Sequence, residues 1–114
     1  MKTIVAGSRE INDYGLIVKG INDSGFEITE LVSGGSRGVD YLGEFWAKTN
    51  NIKITRFNPD WSKYGKAAGP IRNGEMAKYA DALIAFHRNT SWGTANMIKQ
   101  ANDRGLKVYV ITIP

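Results

Sequence analysis

A chain of 114 residues, 42% hydrophobic and 23% charged, has the size and composition of one globular domain, taken as residues 1–114, with its own core. It has no cysteine and one histidine, His87, which excludes a disulfide framework, a thiolate site or nucleophile and a histidine-rich metal centre; no metal or cofactor is expected. Fifteen basic against 11 acidic residues leave +4, favouring an anionic partner, while the missing leader pattern and membrane-length apolar run place the protein in the cytoplasm, away from membranes.

In chain order, residues 2–6 are a short apolar run stopped by Gly7-Ser8-Arg9, a strand followed by a loop. Asn12 or Asp13 can cap a helix carrying Leu16, Ile17 and Ile21 and ending at Gly25. Residues 28–32 form a second strand leading into Ser33-Gly34-Gly35-Ser36-Arg37-Gly38-Val39-Asp40. This glycine-rich turn reads as a phosphate cradle: glycines allow close backbone approach, the N–H groups that open a helix are unpaired, and Arg37 adds a forked cation. Val39, Leu42, Phe45 and Trp46 then recur at helical spacing and predict one buried face. A third strand covers residues 52–57.

Residues 58–69 are long for a connection in so small a domain and read as a lid loop, with Lys63 and Lys66 available to close over phosphates. Pro70 suits the first turn of a helix running to about Tyr79, which places Arg72 in that turn, where an anion would offset its unfavourable position on the helix dipole. Ala82-Leu83-Ile84-Ala85-Phe86 has no polar face, the pattern of a central parallel strand. A polar loop then meets Gly93-Thr94 and a helix that Gly105 can cap, and residues 106–113 supply the last strand. Five strands alternating with four helices predict an α/β domain with an open, mainly parallel sheet.

Ligands of such sheets bind beyond the carboxyl ends of the strands, where Gly7-Ser8-Arg9, residues 33–38 and the loop from Asn89 to Thr94 converge. Each loop carries hydroxyls, a cation or glycine amides suited to phosphate and ribose oxygens. The chain has neither the GKS/GKT phosphate loop nor the full dinucleotide glycine fingerprint, which weakens ATPase and dehydrogenase readings.

These segments, with Asp60-Trp61, Gly65-Lys66-Ala67-Ala68-Gly69-Pro70-Ile71-Arg72-Asn73, Ala80 to Phe86 and Ser91-Trp92-Gly93-Thr94, resemble the SLOG superfamily, and within it the small YspA-like members. The resemblance implies a Rossmann-like sheet and a site for nucleotides or nucleotide-derived signals. The Lonely Guy enzymes of this superfamily cleave nucleoside monophosphates with the motifs PGGxGTxxE and RKxxM. Arg72-Asn73-Gly74-Glu75-Met76 keeps the arginine and methionine of the second, and Gly93-Thr94 keeps the GT of the first. The glutamate position is Met97, and a thioether cannot act as general base or balance an oxocarbenium-like charge.

The candidate ligand residues are therefore Gly7, Ser8, Arg9, Ser33, Gly34, Gly35, Arg37, Asp40, Trp61, Arg72, Asn73, Ser91, Trp92, Gly93 and Thr94. Asp40 can accept from ribose hydroxyls or serve only the start of its helix; Trp61, Tyr64 and Trp92 can stack on a base or pin their loops. Trp46 reads as core or subunit interface, and His87 as the end of a strand. The preferred function is binding of a phosphorylated nucleotide-derived molecule, either to sense it or to sequester it, the latter as a phage protein would sequester a host immune messenger. N-glycosidic hydrolysis by Arg72 with Glu75 comes second. DNA binding by analogy with the superfamily's DNA-processing member comes third, because the basic residues are scattered rather than clustered. Related domains commonly pair, which implies a possible homo-oligomer.

Overall fold

The chain is described by a computed structural model at residues 1–88 and 91–114. β1 (Lys2–Gly7) leads to α1 (Tyr14–Ser24), β2 (Glu30–Ser33) to α2 (Val39–Thr49), and β3 (Lys53–Arg56) to α3 (Trp61–Tyr64), a 3-10 turn (Gly65–Ala67) and α4 (Ala68–Tyr79). β4 (Ala82–Arg88), α5 (Trp92–Asp103) and β5 (Lys107–Ile113) complete it. The strands form one sheet in the order β3-β2-β1-β4-β5, and every neighbouring pair is parallel. This is the predicted Rossmann-like α/β architecture, with a sheet that is wholly rather than mainly parallel.

Alternation along the central strands decides which helices cover which face, because successive strand side chains point to opposite sides. Ile4, Ala6, Leu83 and Ala85 meet Met76 and Ala77 of α4 and Met97 and Ala101 of α5. Val5, Leu31, Ile84 and Phe86 meet Ile17 and Ile21 of α1 and Val39 and Ala47 of α2. Both faces of β1 and β4 are thus dry, and β4 needs the unbroken apolar run that its sequence shows. Fully burying one such side chain contributes about 1.5–3 kcal/mol, so these two layers dominate the stability.

The chain runs outward from β1 through β2 to β3, then returns across the sheet to β4 and β5. The direction of winding reverses between β1 and β4, and the loops leaving their carboxyl ends diverge there, opening a crevice.

Two local expectations are corrected. Residues 58–69 are not an irregular lid: Asp60 caps α3, its side chain accepting from Lys63 N–H at 3.1 Å, and the 3-10 turn runs directly into α4. Elements this short carry no repeating apolar pattern that could have revealed them. Phe45 is 50% exposed, packing edge-on against Tyr14 with ring centres 5.2 Å apart, because Gly43, Glu44 and Ala47 occupy the inner side of α2.

Candidate functional site

The crevice at the reversal point is a cleft of about 310 Å³. β1 and its loop supply Ala6, Gly7, Ser8, Arg9 and Glu10; Ser36 and Asp40 come from the glycine-rich turn and the start of α2. Arg72, Asn73 and Met76 of α4 form a further wall, and Ser91, Gly93, Thr94 and Met97 line the start of α5. Nine of the predicted ligand residues therefore meet in one place: Gly7, Ser8, Arg9, Asp40, Arg72, Asn73, Ser91, Gly93 and Thr94.

The glycine-rich turn is a braced wall more than an open cradle. Gly35 N–H donates to Ser33 Oγ at 3.1 Å, Ser36 N–H to Asp40 Oδ2 at 3.2 Å, and Val39 N–H to the Ser8 carbonyl at 3.3 Å. Three amides expected to face an anion thus have protein partners. Gly38 makes the last of these bonds possible: at φ 72° it occupies the left-handed region, and a Cβ there would lie 2.5 Å from the Ser8 carbonyl oxygen. The β1 loop and the start of α2 are locked together as a result. Ser33 is buried, donates to Glu44 Oε2 at 2.6 Å and does not line the cleft. Glu44 in turn pairs with Arg56. Burial works against the Glu44 carboxylate, yet Arg56 and Ser33 outweigh it and hold its pKa below the usual value. This network had one visible sign, an acidic residue one helical turn beyond Asp40.

Arg72 lies in the second turn of α4 rather than the first, because the helix already begins at Ala68. Its placement comes from two bonds: Nη1 donates to the Gly34 carbonyl at 2.6 Å and Nε to Asn73 Oδ1 at 3.0 Å. A Cβ at Gly34 would lie 2.5 Å from Arg72 Nη1 and 2.9 Å from Asp40 Oδ2, so only glycine lets both charged groups close on this turn. Burial lowers the Arg72 pKa and Asp40 opposes the shift; a guanidinium stays charged throughout the accessible range. Asn73 is buried, with its amide donating to the Gly93 carbonyl at 3.2 Å and to Asn96 Oδ1 at 3.1 Å. It ties α4 to α5 and steadies Arg72.

Asp40 is 6% exposed, and burial pushes its carboxyl up to about 6, against the opposing pull of the Ser36 N–H, Arg72 and Arg9. Thr94 is also buried, its hydroxyl 2.7 Å from that of Ser91. Because the Ser91 side chain bonds to a hydroxyl, it does not cap α5. Met97, standing where the Lonely Guy motif has glutamate, lies buried at the cleft floor. The departure from the hydrolase pattern is therefore inside the site.

The remaining predicted residues separate. Gly34, Gly35, Arg37 and Trp61, with Asn58 and Pro59, line a second cleft of about 380 Å³ that shares Arg9 and Ser36 with the first. Trp92 is 88% exposed and lines neither cleft; nor do the exposed Glu75, Lys63, Lys66 and Tyr64. Trp46 packs beside the α1/α2 layer, and His87 sits within β4, aligned with Thr112. Asn89, the start of the third predicted loop, lies outside the described residues. The candidate ligand residues did not include the lining residues Ala6, Glu10, Ser36, Met76, Met97, Asn58 and Pro59; Ser36 lies inside the glycine-rich turn and Met76 inside the Arg72 to Met76 pattern, so both stood within recognised motifs.

Comparison with known proteins agrees with this fold. The structure superimposes on the X-ray structure of DNA processing protein A (DprA) from Streptococcus pneumoniae with a TM-score of 0.76 and 20% identity, covering 99% of this chain and 50% of that one. The chain thus spans half of the DprA structure, and the likeness is one of fold. Gene 61 protein of Mycobacterium phage D29 is 34% identical over 84 residues, covering 68% of this chain and 67% of that protein. Residues 1–64, which carry the β1 loop, the glycine-rich turn and Trp61, match the family described as YAcAr. With more than half of its length in that match, the chain belongs to the YspA, cpYpsA-related SLOG family.

Proposed function

We propose that this protein binds a phosphorylated, nucleotide-derived small molecule and holds it without cleaving it. The observation that carries the reading is the make-up of the cleft at the β1/β4 reversal: Arg9 and Arg72 beside the hydroxyls of Ser8, Ser91 and Thr94, over a floor of Met76 and Met97. The cations and hydroxyls suit phosphate and ribose oxygens, while the thioether of Met97 stands where a hydrolase of this superfamily needs a carboxylate. Similarity to a phage protein fits a role in sequestering a host nucleotide signal. Titration calorimetry with AMP, ADP-ribose and cyclic dinucleotides tests the reading. Binding of at least one of them is expected, weakened about tenfold, or ~1.4 kcal/mol, by Arg72→Ala. Failure of all three to bind overturns it.

One observation favours hydrolysis as a second reading. Asp40 is a buried cleft carboxyl with a pKa raised to about 6, the property of a group able to exchange a proton near neutrality. Chromatographic detection of free base from a nucleoside monophosphate, lost in Asp40→Asn, would establish it in place of the binding reading.

A further inference from the structure

The two outer edges of the sheet are finished in different ways. β3 is four residues long, begins and ends on the exposed cations Lys53 and Arg56, and follows Asn51, which turns the chain at φ 56°. Glu30 of β2 and Glu44 of α2 hold those two cations in place. Short length and charge keep an edge from pairing with another chain. β5 has neither protection. It runs for seven residues, pairs with β4 along its whole length, and has no further strand on its outer side among the described residues. Every residue after Lys107 is β-branched or aromatic, and neither glycine nor proline interrupts the row. Val110, at its middle, is 40% exposed although apolar, and Val108, Tyr109, Ile111 and Ile113 are only half-buried. Alternate backbone N–H and C=O groups of this strand point away from β4, ready to extend the sheet.

We propose that β5 is the pairing surface for a second copy of this chain, the two β5 strands lying antiparallel about a two-fold axis at Val110 and joining both sheets into one. The strand is its own complement in this register. Val110 faces its counterpart, Tyr109 faces Ile111, Val108 faces Thr112, and Lys107 faces Ile113 across the seam. Directly opposed residues share a face of the sheet, so Tyr109 and Ile111 extend the apolar layer that packs on α1, while Val108 and Val110 continue the other. The two Lys107 cations stand at opposite ends of the seam, whereas parallel pairing in register would set them side by side. A foreign strand would have to supply this match, and a second copy carries it already. Two-fold symmetry also closes the assembly: both unprotected edges are covered at once, and the joined sheet ends on a short, charged β3 at either side. Among the described residues, none of β5 lines either cleft, so pairing leaves both open and sets the clefts of the two copies at opposite ends of the strands.

Sedimentation equilibrium of the wild type, of Val110→Lys, of Val110→Glu and of an equimolar mixture of the two variants tests this assignment. The wild type is expected to sediment as a dimer at about 100 µM and to dissociate on dilution. Each variant alone sets like charges directly opposite one another at the axis and should weaken dimerisation about tenfold or more; mixing them should restore it, because lysine then faces glutamate. Circular dichroism checks that the variants fold, as an edge residue 40% exposed should allow. Amide hydrogen exchange of the wild type gives a second reading, with protection of residues 107–113 expected to rise with protein concentration. Should either variant not fold, the exchange measurement alone decides. A wild type that stays monomeric at about 100 µM overturns the proposal. So does a dimer that both variants leave unchanged, one that mixing fails to restore, or exchange of the β5 amides that is the same at every concentration.

Discussion

The two clefts that share Arg9 are built in opposite ways. Around the reversal point, apart from the exposed Arg9 and Glu10, most polar groups are buried or half-buried and already bonded: Asp40 to Ser36, Arg72 to Gly34 and Asn73, Asn73 to α5, and Thr94 to Ser91. The other cleft is bordered by exposed groups, with Arg37 and Trp61 standing in solvent and Asn58 two residues beyond β3. A preorganised wall loses little conformational entropy when a ligand arrives, whereas long exposed side chains must be ordered at that moment, each at about 0.5–1.5 kcal/mol. The first cleft is thus the more rigid of the two and the second the more adaptable. The rigidity has its own cost, because it keeps a carboxyl out of water.

Asp40→Asn gives the largest expected departure from this contrast. The folded state raises the Asp40 pKa from 3.8 to about 6, so it holds a proton that the unfolded chain releases between those values. Stability from this group is therefore greatest below pH 4, declines as pH rises through 6, and is then about 3 kcal/mol lower. Replacing the carboxyl with an amide, whose oxygen can still accept from Ser36, should stabilise the protein by up to about 3 kcal/mol at pH 7 and by little at pH 4. Urea unfolding of both proteins across this range measures the difference, and an equal effect at both pH values would show that Asp40 is not buried in its charged form. A gain in stability accompanied by weaker ligand binding would mark the carboxyl as retained for function.

Glu44→Ala removes the brace behind the same turn. It deprives Ser33 and Arg56 of their common partner, and loss of about 2 kcal/mol is expected, moderated because Arg56 is half exposed and can be rehydrated. Denaturant midpoints report that loss, and a shift below 0.5 kcal/mol would show that the turn holds its shape without this network. The smallest effect belongs to Glu75→Gln. Glu75 is exposed and lines neither cleft, so stability should stay within about 0.5 kcal/mol and nucleotide affinity within twofold. A larger loss of affinity would bring Glu75 into the site and reopen its assignment to hydrolysis.

Much of the architecture was legible because it depends on short-range pattern. The apolar runs at 2–6 and 82–86, the Asp13 cap and the Gly25 stop of α1 each state a local preference, and the observed strands lie within two residues of the predicted bounds. The three-loop convergence was also visible, since a parallel sheet places every β–α loop at the same edge. Other readings changed where local pattern has nothing to say, as at the short helices of residues 61–67. Phe45 follows the helical spacing of the core residues, but the inner side of α2 is already filled by smaller residues and by Glu44, whose partner is on β3. The cradle of residues 33–40 is less open than its sequence suggests, since the amides of Gly35, Ser36 and Val39 bond to Ser33, Asp40 and Ser8, and the last comes from another strand's loop.

The order of glycines, hydroxyls and cations along the chain determined which loops could face a ligand, because turn chemistry and helix starts depend on residues a few positions apart. Division of the candidate residues between two clefts, the engagement of Asn73 and Ser33 in structural bonds, and the raised pKa of Asp40 came only with the folded chain. Each depends on groups far apart in sequence: Arg72 on Gly34, Asn73 on Gly93, and Val39 on Ser8. Desolvation and bond satisfaction are properties of a place in the fold, and the same side chain acquires a different role when the segments around it close.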